Sequence, residues 1–91
     1  MKICCVLVTF NPDINYLTKV LKSIQRNSLE SLVVVDNGSL NAPDVKKISD
    51  DHFAVFIPLE SNVGIACAQN IGIQWAKIKN MDYIWLSDQD T

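Results

Sequence analysis

The sequence predicts an α/β fold built on a doubly wound, mostly parallel sheet, and three observations carry that prediction. Four short apolar runs are continuous rather than alternating, which is how strands buried on both faces read. The segments between them carry helical periodicity or helix-start residues, so the order is β-α-β-α-β-α-β. All of it fits into 91 residues, 48% of them hydrophobic, which is material for one modest core and not for two. With right-handed crossovers the first strand lies centrally, the second and third on one side and the fourth on the other, a 3-2-1-4 order.

The first run, Ile3 to Val8, is the central strand. Asn11 then offers an N-cap, Pro12 the first helical position, and Asp13 a negative charge near the positive helix end. Ile14, Leu17, Leu21 and Ile24 recur at steps of three and four, with Lys19, Lys22 and Arg26 outside that stripe, the pattern of an amphipathic helix. Leu32 to Val35 is the second strand, stopped by the turn formers Asp36-Asn37-Gly38-Ser39. Pro43 to Ile48 reads at best as a short polar helix, and Phe53 to Ile57 as a third strand closed by Pro58. Asn62-Val63-Gly64 leads into a helix from about Ile65 to Lys79, with Ile65, Ala68, Ile71, Gly72 and Trp75 on its buried side. A glycine inside a helix costs about 1 kcal/mol relative to alanine, so Gly72 marks close backbone packing. Tyr83 to Leu86 is the fourth strand, followed by Ser87-Asp88-Gln89-Asp90-Thr91.

Eight Lys and Arg against ten Asp and Glu give a net charge of -2, which supplies no bulk electrostatic footprint for nucleic acid or an anionic membrane. No apolar run reaches the roughly 18 residues of a membrane span. The three cysteines, Cys4, Cys5 and Cys67, make no C-x-x-C pair and read as reduced, buried thiols with Cys4 and Cys5 on opposite strand faces, which fits a cytoplasmic address. His52, beside Asp50 and Asp51, reads as a solvated surface residue, and the sequon Asn37-Gly38-Ser39 as chance.

The 3-2-1-4 order gives the chain a switch point, and every polar strand-end cluster falls on the carboxyl edge of the sheet. Thr9 and Asn11 are expected there near Asp88 and Asp90, with Asp36 one strand away. Asp88-Gln89-Asp90 leaves an apolar strand with two carboxylates, hard oxygen ligands that suit a divalent cation bridging to a diphosphate. On its own the pattern is also a common turn and cap. Asp36 offers one acceptor for a nucleobase N–H or a ribose hydroxyl, against the reading of an Asx-turn that caps the strand. Asn62 to Asn70 crowds small residues and amides at a helix start whose free N–H groups can face phosphate or sugar, or serve only as cap and close packing. Neither G-x-G-x-x-G after the first strand nor G-x-x-x-x-G-K-[ST] is present, which removes support for dinucleotide oxidoreductases and P-loop enzymes. A receiver-like signalling domain is disfavoured by Thr9-Phe10-Asn11 where it needs an acidic cluster.

Taken together, Val8-Thr9-Phe10-Asn11-Pro12, Val33 to Ser39, Asn62 to Asn70 and Leu86-Ser87-Asp88-Gln89-Asp90 resemble glycosyltransferase family 2, most closely its bacterial rhamnosyltransferase-like members. The resemblance implies the N-terminal half of a GT-A fold. It implies that Thr9 and Asp36 contact the pyrimidine base of a UDP- or dTDP-sugar and that Asn11, Asn37, Asn62, Gly64, Gln69 and Asn70 line the donor site. Asp88 and Asp90 would form the D-x-D that holds ribose and a divalent metal, Mn²⁺ or Mg²⁺. Gln69 departs from the family pattern, since many relatives carry a basic residue there. Family members run well beyond the D-x-D, and the general base of inverting transfer to a saccharide acceptor is expected in that further half. The expectation is therefore residues 1–91 as a donor-binding part, truncated just after the D-x-D or one product of a split gene. It would act in the cytoplasm or, through partners, at the cytoplasmic face of the inner membrane. The alternative is a non-catalytic nucleotide-binding or interaction module whose exposed fourth strand docks a partner chain that completes the fold.

Overall fold

The computed structural model describes residues 1–88, Asp88 by its backbone alone; Gln89, Asp90 and Thr91 lie outside the described residues. Its elements run β1 (Ile3–Thr9), α1 (Ile14–Ile24), β2 (Ser31–Asp36), α2 (Ala42–Asp51), β3 (Val55–Pro58), α3 (Ile65–Ile78) and β4 (Tyr83–Asp88). The four strands form one sheet in the order β3-β2-β1-β4, and every pairing is parallel.

The continuous apolar runs have a simple cause: both faces of the central strands are covered. Cys5, Leu7, Leu32 and Val34 pack against Leu17, Val20, Leu21 and Ile24 of α1 and Val45 of α2. Cys4, Val6, Val8, Val33 and Val35 face the other way, toward Ala68 and Ala76 of α3. Cys4 and Cys5 thus do divide between the two faces. Burial, with the neighbouring Cys4 adding to it, pushes the Cys5 thiol up to about 12, and burial raises Cys4 as well. Cys67, expected inside, is exposed on α3. No described helix is long and apolar enough to cross a membrane.

Four boundaries differ from the sequence reading. Helix α1 begins two residues later than an Asn11 cap implies: Asp13 is the N-cap, its Oδ1 accepting the Tyr16 N–H at 2.9 Å. Asn11 instead takes a left-handed conformation at φ 45° and turns its side chain to a neighbouring loop. Helix α2 is longer than its polar sequence suggests, because Val45 supplies a buried anchor and the buried Ser49 satisfies its hydroxyl by donating to Val45 O at 2.8 Å. Phe53 is not a strand residue: at φ 58° and 95% exposed it closes α2, its N–H donating to Asp50 O while Ala54 N–H donates to Ser49 O. Ile65 is 51% exposed, since the first turn of α3 lies at the carboxyl end of the sheet rather than across it. His52 caps α2 and is held by Gln25, whose Nε2 donates to the His52 carbonyl at 2.6 Å.

Gly72 behaves as its position predicts. A Cβ there would run into Val6 Cγ1, with Val35 Cγ2 at 3.2 Å, so α3 sits on the sheet at a distance only glycine allows. Gly72→Ala is expected to destabilise the chain by about 1–2 kcal/mol despite alanine's better helix propensity, because overpacking outweighs the roughly 1 kcal/mol propensity gain. Urea denaturation reads the sign directly; a more stable variant would mean that α3 does not pack this closely.

Candidate functional site at the carboxyl edge of the sheet

Parallel pairing brings the strand ends together. Thr9 pairs with Asp36, Asp36 with Pro58, and Val8 with Asp88, so β4 delivers the backbone of Asp88 beside β1. The loops that leave this edge carry the polar residues singled out in the sequence.

Asp36 is the centre of the cluster and has no exposed surface. Its Oδ1 accepts from Thr9 Oγ1 at 2.8 Å and from Ser39 Oγ at 2.6 Å, and its Oδ2 accepts the Ser39 N–H at 3.0 Å. Charge-assisted bonds of this kind are stronger than neutral ones, and here they offset the desolvation of a buried carboxylate. Ser39 Oγ accepts in turn the Asn11 N–H at 2.8 Å, and Asn11 Oδ1 accepts the Leu40 N–H at 2.7 Å. The β1–α1 and β2–α2 loops are therefore tied to each other through one carboxylate. The Asx-turn reading of Asp36 is correct as geometry. A carboxylate has about four acceptor positions, so one remains on Oδ2.

A second circuit joins the β3–α3 loop. The Asn37 N–H donates to Thr9 O at 2.8 Å, Asn37 Nδ2 donates to Asn62 Oδ1 at 3.2 Å, and Asn37 Oδ1 accepts the Val63 N–H at 2.9 Å. Asn62 Oδ1 also accepts the Gly64 N–H at 2.8 Å. Asn37 is 3% exposed, which closes the sequon to modification. Gly38 makes this approach feasible: its φ is 81°, and a Cβ would lie 2.5 Å from the Ser61 carbonyl carbon.

Helix α3 starts next to these loops without a side-chain cap. Its N-cap is Gly64 at φ 86°, and the Ala68 N–H is the donor to Gly64 O, so the first-turn N–H groups before it have no carbonyl within the helix. An added Cβ on Gly64 would meet nothing within 4 Å, which leaves open space at the positive end of a 14-residue helix.

Thr9, Asn11, Asp36, Asn37, Asn62 and Gly64 thus meet in one network. Gln69 and Asn70 do not join it: Gln69 lines a groove beside Trp85 and Leu86, and Asn70 stands on the exposed surface of α3. Ser39 is the participant that the sequence reading passed over as a turn former, although a serine three residues after an aspartate is placed to return both hydroxyl and N–H to it. The side chain of Asp88 and the whole of Asp90 lie outside the described residues. Among the described residues, no three His, Cys, Asp or Glu side chains gather as a metal site.

A parallel 3-2-1-4 sheet with its polar network at the carboxyl edge defines the nucleotide-binding type of α/β unit, and the chain belongs to Glycosyl transferase family 2, whose sequence profile matches residues 4–91. It is 36% identical over 89 residues to the dTDP-rhamnosyl transferase RfbF of Shigella flexneri, a match covering 98% of this chain and 29% of that protein. The chain thus spans less than a third of the length of that curated relative.

Asp36→Ala leaves the Thr9 hydroxyl and the Ser39 N–H without their acceptor. The expected cost is about 2–3 kcal/mol, read as a lower urea midpoint with an unchanged slope. A loss below about 0.5 kcal/mol would mean that the carboxylate does not hold the loops together.

Proposed function

We propose that residues 1–91 are the donor-binding part of a glycosyltransferase that moves a sugar from a UDP- or dTDP-sugar to a saccharide acceptor with inversion. The observation that carries this reading is the junction at the carboxyl edge, where the Asp36 network and the uncapped start of α3 stand beside the end of β4 in a chain of this family. The printed activity of the Shigella relative favours dTDP over UDP and rhamnose among the sugars.

In this reading the base N–H takes the acceptor position left on Asp36 Oδ2, with Ser39 moving aside and Thr9 orienting the carboxylate. Asn11, Asn37 and Asn62 shape the loops around the nucleoside. The free N–H groups after Gly64 favour the negative diphosphate. Gln69 and Asn70, one turn further along, face the sugar end of the donor. Asp88 and Asp90 offer hard carboxylate oxygens of the kind that Mg²⁺ or Mn²⁺ prefers, and they would hold the cation. When bound, such a cation stabilises the charge that develops on the diphosphate leaving group. None of these residues is assigned as the base that deprotonates the acceptor.

Calorimetric titration with dTDP and with UDP, with and without Mn²⁺, tests the reading. Metal-dependent binding is expected, weakened at least about tenfold, roughly 1.4 kcal/mol, in Asp88→Ala/Asp90→Ala. Absence of binding at millimolar nucleotide, or affinity unchanged in the double variant, contradicts it.

A further inference from the structure

Strand β4 lies at the end of the sheet, yet it is built like an interior strand. The Tyr83 N–H donates to Lys2 O at 3.1 Å, so strand alternation turns the N–H and C=O of Tyr83, Trp85 and Ser87 toward β1. Those of Ile84 and Leu86 point to the open edge. Edge strands are normally protected by lysine, proline or a bulge, and Tyr83-Ile84-Trp85-Leu86-Ser87 carries no lysine or proline. Its side chains are apolar on both faces and uncovered: Tyr83 is 57% exposed, Trp85 39% and Leu86 43%. Beside them runs a groove of about 490 Å³ between α1 and β4, with Val20, Ser23, Ile24 and Asn27 on one wall and Trp85 and Leu86 on the other.

We propose that this edge is the seat of the rest of a family 2 transferase: a further strand from that polypeptide pairs with β4 through Ile84 and Leu86, and an apolar side chain of it fills the groove over Trp85. The proposal rests on the transferase reading above. The occupant is argued from the match itself: this chain corresponds to the N-terminal 29% of the Shigella protein, so more than two thirds of that relative's length lies beyond the segment that ends at β4. A strand added there would hold β4 from both sides and so fix the position at which Asp88 leaves the sheet beside Val8.

Amide hydrogen exchange tests the pairing in two arms: a chimera in which residues 1–91 replace the matched part of the Shigella transferase, and the 91-residue chain mixed with the separately expressed remainder of that enzyme. The Ile84 and Leu86 amides are expected to exchange at least about 100-fold more slowly in the chimera than in the chain alone, with Leu7 and Val34 protected in both. A one-to-one complex showing the same protection supports the proposal in the second arm. Equal exchange of Ile84 and Leu86 in chain and chimera overturns it, as does elution of the chain unchanged from the mixture. Protection in the chain alone that grows with concentration overturns it in favour of a second copy on the same edge. Titration of the chimera with dTDP reads the donor assignment separately, so protection without nucleotide binding removes that assignment and keeps the strand.

Discussion

The carboxylate of Asp36 is the interaction on which the edge of this molecule depends. It is wholly buried, and its charge is compensated by two hydroxyls and one backbone N–H rather than by a cation among the described residues. Such an arrangement is stable only while every donor stays in place, because an unpaired buried carboxylate costs several kcal/mol. The loops after β1 and β2 are consequently not free to vary independently. Thr9 must present its hydroxyl, Ser39 must return two donors, and Asn11 must leave the helix it would otherwise cap.

That constraint sits on a rigid base. β1 is central and buried from Cys4 to Thr9, flanked by β2 and β4, with helices on both faces of the sheet. Close packing at Gly72 locks α3 against Val6 and Val35, and this fixes where the uncapped start of that helix meets the Asp36 network. Packing energy collected in the middle of the sheet is thereby converted into position at its edge, where the polar groups have little apolar contact of their own.

Much of this was legible in the residues. Continuous apolar runs gave away a sheet covered on both faces, and their order specified the 3-2-1-4 arrangement. Gly72 announced a close approach because its helix cost requires a compensating contact. Less legible was anything decided by competition between neighbours. Asn11 and Asp13 are both good caps, and only the demand of Leu40 N–H for an acceptor separates them. Phe53 looked like a strand residue because a β-former in a left-handed helix stop is rare, and its exposure follows from the way α2 ends. Gln69 and Asn70 fell within a recognisable motif, yet helical geometry carries them a turn away from the network.

The central claim is that the loops tied to Asp36 form the nucleotide site of a family 2 transferase. The most direct test is to map dTDP onto the ¹⁵N-labelled chain by amide chemical shifts. The account predicts saturable changes centred on Thr9 to Asn11, Asp36 to Ser39 and Asn62 to Cys67. Changes centred on the opposite end of the sheet, around His52 and Phe53, or no saturable change at any amide, would contradict it.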